Sequence, residues 1–440
     1  MRPHSCRLVT NSVHALPAAT VTSSAPSPQP PSASPASALS ARTAWAMLLA
    51  LTTGFALSQA FRTITAIIAT GLQAEFGLTP QALGLFAGAF AFAFGGMQLI
   101  MGVGIDFFGL RRTLLAAFPL TVAGSLLSAW APGYGLVLLG QALIGVGCAP
   151  AFLACTVFIA RHFPAQRFAL VSGLCMGVGG LGMLFTGTPL AWIVQQGSWR
   201  MGFGVLAGLC ALAWLLIFWC VHEPANTATT QPRESLGATF RGFGALFLLP
   251  HTWGILLLAL VTYASFLALR GLWLGPLLIE RHGFTLVQSG NVALLVSLVS
   301  LFSPAVFGRL DPGSARRRGW ILGFTLLMAG ILGAMGLLRH VWVDVGGTLA
   351  LGWLCGFIVL QYADVRNAYP AAMTGRAMAV FTMAMFLGVA LMQWLTGLAA
   401  SLAHAQGADP FVAVLFTITG MLCAGGLAFR CLPAPKLQTP

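Results

Sequence analysis

Apolar residues run through this chain in long stretches, and short polar connections between them hold most of the charge. A stretch of about 20 apolar residues, wound as a helix, matches the ~30 Å hydrocarbon core of a bilayer. Twelve such stretches are predicted as transmembrane helices, over 44–71, 81–105, 113–131, 135–160, 168–194, 200–220, 251–279, 286–307, 319–338, 343–362, 376–402 and 411–430. The longest connection, 221–250, opens HEPANTATTQPRE and falls between the sixth and seventh stretches. The expected architecture is an all-α membrane protein of 12 transmembrane helices in two six-helix pseudo-repeat bundles, 44–220 and 251–430. The 221–250 segment is expected to be a cytoplasmic linker. Residues 1–43, rich in Pro, Ser, Ala and Thr, are expected to be a disordered cytoplasmic tail. Residues 431–440 form a short cytoplasmic C-terminal tail.

Composition supports this class. The chain is 58% hydrophobic and 7% charged, with a mean hydropathy of +0.88, against about 25% charged residues in soluble domains. The net charge of +13 does not describe a nucleic-acid surface, because the basic residues are spread over short connections and not gathered in one patch. Seventeen of the 22 Lys and Arg lie at the termini or in alternate connections, among them Arg111, Arg161, Arg309, Arg316 and Arg366. The other connections hold only Arg200, Arg281 and Arg339. By the positive-inside rule both termini are expected to be cytoplasmic, in an inner (plasma) membrane. Cysteines such as Cys148, Cys155, Cys175 and Cys210 fall inside apolar runs, where they read as small hydrophobes. No metal-ligand spacing, Ser/His/Asp arrangement or phosphate loop is visible, so no cofactor, metal or enzymatic activity is expected. A monomer bathed in lipid is.

Two basic residues break the pattern. Arg62 sits well inside the first run, LTTGFALSQAFRTITAIIATG, about ten residues or ~15 Å from its outer end. A charge there costs at least ~2.5–3.5 kcal/mol. Arg270 sits at a similar depth in the seventh run, within TYASFLALRGLWLGPLLIE. The two runs look like repeats: Gln81 and Gln288 follow the arginines at similar intervals, and Asp106 and Asp311 follow the glutamines. All nine acidic residues fall at run ends or in connections. Two deep cations without fixed partners call for a mobile anion, and the planar guanidinium fork suits carboxylate or phosphate. The bland alternative is that each arginine bonds helix carbonyls. Helical spacing places Phe55, Ser58, Gln59 and Thr65 near Arg62, and Tyr263, Phe266 and Trp273 near Arg270. Gln98, Gln141, Gln361, Tyr362 and Gln393 are further intramembrane polar residues.

The second connection reads GVGIDFFGLRRTLL, in which Gly102, Asp106, Gly109, Arg111 and Arg112 fit G-x-x-x-D-x-x-G-x-R-R. This loop, after the second of twelve runs, resembles that of the major facilitator superfamily. The likeness extends over about 44–430. It implies a conformation-governing loop at 102–112 and departs from the family pattern at Phe107 and Leu110. A weaker copy, FGRLDPGSARRR, has a different spacing. The fourth run has Gln141 where many members have arginine, and the fifth lacks the G-P-x-x-G-G run that resembles proton antiporters. The arginine pair, with LRGLWLGPLLIE, resembles the organophosphate/phosphate antiporters, and Arg62 alone the anion/cation symporters.

That resemblance implies secondary active transport of a small organic anion by alternating access. Arg62 and Arg270 would clamp the substrate, with Gln59, Tyr263, Trp273, Gln141 and Gln393 as further substrate-binding candidates. Exchange, or symport with H+ or Na+, stays open, since no deep carboxylate or histidine is present. Two alternatives are a facilitator-type efflux pump for hydrophobic drugs and a non-transporting membrane sensor or assembly partner.

Overall fold

A computed structural model describes residues 40–164, 167–222 and 236–435. The disorder expected of the N-terminal tail lies outside the described residues, as does 223–235 of the 221–250 linker, whose remainder carries a helix at Leu236–Phe247. The chain from Ala41 onward forms one body. Its described residues contain no strand and twelve helices long and apolar enough to cross a membrane. In order these spans are Ala41–Phe61, Pro80–Phe108, Leu110–Trp130, Tyr134–His162, Leu170–Gln196, Trp199–Cys220, Pro250–Arg281, Leu286–Arg309, Ser314–Leu338, Val341–Ala368, Met373–Ala405 and Pro410–Cys431. Twelve alternating spans put the two chain ends on one face, here the terminal face, and the connections 77–79 and 282–285 on the far face.

Local chemistry sets the span ends and exposes the internal repeat. Gly77 (φ 59°) and Gly283 (φ 68°) adopt the left-handed conformation that glycine tolerates without strain. Two residues after each, Thr79 and Thr285 cap the second and eighth spans: their hydroxyls accept from the amides of Ala82 and Gln288, both at 3.2 Å. Gln288 completes a capping box by accepting from the Thr285 amide at 2.8 Å. On the terminal face Gly109 (φ 85°, ψ 161°) and Gly313 (φ 80°, ψ 167°) open the third and ninth spans in an extended positive-φ conformation that again favours glycine.

Several spans are interrupted midway. The first breaks at residues 62–64 and resumes as Thr65–Phe76. The fourth breaks at Ala149 and Pro150, the fifth at Thr186 and Gly187, and the tenth carries a 3₁₀ turn at Cys355–Phe357. The seventh contains two widened π turns, Leu269–Trp273 and Leu277–Arg281. Irregular backbone at membrane depth is tolerated only where protein or a wet cavity surrounds it. Here the seventh span is the most buried of the twelve.

The first six spans meet the last six chiefly through their far-face portions. A Cβ on Gly271 would lie 2.6 Å from the Arg62 carbonyl oxygen, and one on Gly275 would collide with the Ala66 carbonyl oxygen. The first and seventh spans therefore cross backbone to backbone. Gly84 meets the Gln393 carbonyl in the same manner, and a Cβ on Gly187 would lie 2.6 Å from that of Leu294. By contrast, the main neighbours of Ala41–Phe61 are the fourth, fifth and sixth spans, and those of Pro250–Ala268 are the eleventh and twelfth. The structure is thus closed on its far face. Replacing Gly275 with Ala should cost on the order of 1–3 kcal/mol by overpacking. The expected result is a clear fall in the melting temperature of purified protein, whereas Gly330→Ala, which meets nothing within 4 Å, should leave it unchanged.

Candidate functional site

Arg62 lies in the break of the first span and is 9% exposed. Its guanidinium is held between two phenyl rings, Phe94 of the second span at 4.8 Å and Phe386 of the eleventh at 4.6 Å. Its Nη1 donates to the Tyr263 hydroxyl at 3.5 Å and its Nη2 to the Ser58 hydroxyl at 3.4 Å. Both bonds are long, and Nε is buried with no partner. No carboxylate pairs with it among the described residues. Two π faces and two hydroxyls thus compensate this charge only in part.

Arg270 is fully buried in the first π turn of the seventh span. Its Nε donates to the Ala293 carbonyl at 3.2 Å and the Ser297 hydroxyl at 3.3 Å. Its Nη2 donates to the same hydroxyl at 3.1 Å and to the Met183 carbonyl of the fifth span at 3.3 Å. Nη1 has no partner. No carboxylate pairs with this arginine either among the described residues, and carbonyls and a serine take most of its donors.

The remaining sequence candidates divide. Gln59 is half-buried beside Arg62; its amide nitrogen approaches the Met183 sulfur at 3.9 Å and its oxygen is unpartnered. Tyr263 reaches Arg62 and packs edge-on against Phe386 at 5.7 Å. The structure therefore joins Arg62 to Tyr263, and Met183 links Gln59, one helical turn before Arg62, to Arg270. Trp273 is turned elsewhere: its indole donates to Thr396 at 2.9 Å and packs on Phe411. Wider turns at 269–273 rotate the following residues off the face that an unbroken α-helix would give them. Gln141 and Gln393 are buried, each with one unpartnered amide atom. Tyr362 packs inside the protein against Phe381, within electrostatic range of Arg62. Sequence spacing missed Phe94 and Phe386, whose rings come from other spans, and the Met183 carbonyl, which carries no side-chain signature.

On the terminal face, Gly102 and Asp106 end the second span, Gly109 makes the positive-φ turn, and Arg111 donates to the Phe218 carbonyl at 2.9 Å while Arg112 is exposed. Arg161 lies within electrostatic range of Asp106. In the second copy, Asp311 accepts from Arg317 at 2.7 Å and from the Gly313 amide at 3.1 Å, and the Arg317 bond holds its carboxyl below the usual range. The far face carries its own ion cluster. Arg281 bridges Asp344 at 3.3 Å and Asp409 at 2.8 Å, and His282 meets the fully buried Asp344 at 2.7 Å.

Twelve spans and a loop that turns on Gly109 define a class, the polytopic helical membrane proteins. Residues 50–391 match the Major Facilitator Superfamily, and the chain belongs to that family. It is 24% identical over 259 residues to a probable sulfoacetate transporter of Cupriavidus necator, a match covering 56% of this chain and 60% of that one. It is 29% identical over 187 residues to the fosmidomycin resistance protein of Escherichia coli, covering 42% and 46%. The chain thus spans less than two thirds of the length of these curated relatives. The crystal structure of a D-xylose–proton symporter superposes with a TM-score of 0.71 at 16% identity, covering 90% of this chain and 99% of that one. This likeness establishes the fold.

Two substitutions separate the deep charge from the structural ones. Arg62→Met removes a buried charge that has no ionic partner, so ligand-free protein should melt at the same temperature or higher. Asp344→Ala leaves Arg281 and His282 without their shared carboxylate and should lower the melting temperature by several degrees.

Proposed function

We propose that this transporter is a secondary carrier of a small organic anion, working by alternating access in an inner (plasma) membrane with both termini cytoplasmic. One observation carries the reading: Arg62, buried at mid-membrane, spends its charge on two rings and two long hydroxyl contacts and keeps Nε unpartnered. A guanidinium so placed binds an oxyanion strongly because water competes little there. Gln59 and Tyr263, both beside Arg62, would orient the anion, and Gln141 and Gln393 are further polar candidates for the same path. Similarity to a probable sulfoacetate transporter supports an anionic substrate. The far-face closure supports motion of the two six-span halves as bodies, with the 102–112 loop steadying the terminal face in the other state. The substrate would be exchanged for another anion or carried with H+ or Na+.

A second reading, efflux of a drug-like compound, is favoured by the similarity to a resistance protein. The two readings part on Arg62. Purified protein should be thermally stabilised by sulfonates, carboxylates or phosphate esters, and Arg62→Gln should weaken that response at least ~10-fold in apparent Kd, the loss of one charge-assisted bond or more. Stabilisation by uncharged hydrophobic compounds, equal in wild type and Arg62→Gln, would replace the anion reading with efflux.

A further inference from the structure

Building on the anion reading, we propose that the two deep arginines have separate roles. Arg62 takes the anion, and Arg270 is a positioning residue that fixes the crossing of the fifth and eighth spans on the closed far face. The sequence alone treats them as an equivalent pair, but the structure gives them opposite kinds of partner. Arg62 holds hydroxyls and rings, groups that rotate aside without disturbing backbone. Arg270 holds two main-chain carbonyls and a serine, on three different helical segments counting its own.

The acceptor on the fifth span exists because that span breaks. The amide of Gly187 would close an ordinary helical bond on the Met183 carbonyl four residues back, but it bonds Leu184 instead at 3.0 Å. The Met183 oxygen is left to the Thr186 hydroxyl at 3.1 Å and to Arg270. The Thr186 hydroxyl fills one lone pair of this buried carbonyl and the guanidinium the other, so the break supplies Arg270 with an acceptor and Arg270 supplies the break with a second donor. The π turn makes the matching adjustment on the seventh span, where the Leu274 amide bonds back to Leu269.

Immediately beyond this node the fifth and eighth spans touch. Gly187 faces Leu294 and Gly290 faces Ala191 with no room for a Cβ on either glycine, and the Thr188 hydroxyl bonds the Asn291 side chain at 2.6 Å. Arg270 joins the seventh span to both sides of that contact. Each arginine has one uncommitted nitrogen. Freeing a second on Arg270 breaks its bonds to Ser297 and a main-chain carbonyl, whereas Arg62 gives up a single side-chain hydroxyl.

The test uses full-length protein carrying Thr188→Cys and Asn291→Cys, whose side chains touch in the closed arrangement, with each single variant as control for pairing with native cysteines. Cross-linking by a short bis-thiol reagent should be efficient in this background. It should fall at least about tenfold in rate when Arg270→Lys is added, because lysine keeps the charge but cannot hold three acceptors at once. Ser297→Ala, which removes only the shared hydroxyl, should lower the rate by a smaller factor and carries the test if the lysine variant fails to fold. In parallel, Arg270→Lys should retain the anion-induced thermal stabilisation that Arg62→Lys loses. Unchanged cross-linking in Arg270→Lys together with loss of anion stabilisation would overturn the division of roles and make Arg270 a ligand. Reduced cross-linking with no anion response in any variant, wild type included, would uphold the strut while removing the anion reading.

Discussion

The rest of this structure depends on two guanidinium groups lodged where no carboxylate can reach them. A buried charge with neither partner nor water costs several kcal/mol even after relaxation, so the surrounding helices are built to offer something in place of an ionic partner. At Arg62 the substitutes are the quadrupoles of Phe94 and Phe386 and the hydroxyls of Ser58 and Tyr263. At Arg270 they are the carbonyls of Ala293 and Met183 and the Ser297 hydroxyl. The carbonyl route has a structural condition, because an intact helix already commits its carbonyls to its own amides. Met183 can serve because the fifth span is interrupted at Thr186 and Gly187. Helix breaks and deep charges are therefore one feature seen from two sides.

The same breaks allow the spans to approach closely. Gly271 against the Arg62 carbonyl and Gly275 against the Ala66 carbonyl bring two main chains into direct contact just where the first span resumes after its interruption. Lipid offers little hydrophobic drive for helix association, so packing of this kind and hydrogen bonds such as Trp273 to Thr396 supply the contact energy. Small residues at the crossing set how tightly the far face shuts, and the charges lie directly beneath them.

Much of this was legible in the chain, and the missing parts share one cause. The predicted spans match the observed ones in number and order because burial in lipid demands long apolar runs whatever the neighbours. Boundaries moved where charge is tolerated inside a helix: the ninth span begins at Ser314 and takes in Arg316, Arg317 and Arg318, and the tenth runs on to Ala368 and takes in Asp364 and Arg366, all left in connections by the hydropathy pattern. The loop at Gly102–Arg112 was readable because a positive φ at Gly109 requires that residue. The depth of Arg62 followed from spacing and from the repeat, whereas Tyr263, which ideal-helix counting put beside Arg270, reaches Arg62 from the other set of six spans. What spacing could not give was anything that depends on a backbone departing from 3.6 residues per turn. Trp273 was assigned to the face of Arg270 by counting an ideal helix, and the π turn carries its indole to Thr396 instead. Phe94 and Phe386 come together from spans far apart in sequence, and the Met183 carbonyl is a group every residue has.

This arrangement also constrains how the carrier can move. In the far-face-closed structure each deep arginine draws on both sets of six spans: Arg62 on Tyr263 and Phe386, Arg270 on Met183. Parting the halves on that side strips a partner from each charge at the moment water gains access, so hydration can replace what the protein withdraws. Under the proposed function, an anion held by Arg62 would supply a stronger replacement than water, and would supply it in the occluded state where water is excluded. On the same proposal an empty protein would lack that compensation in the occluded state and cross it at greater cost. The placement of charge without counter-charge thus links occupancy to movement, with no titratable group required at the same depth.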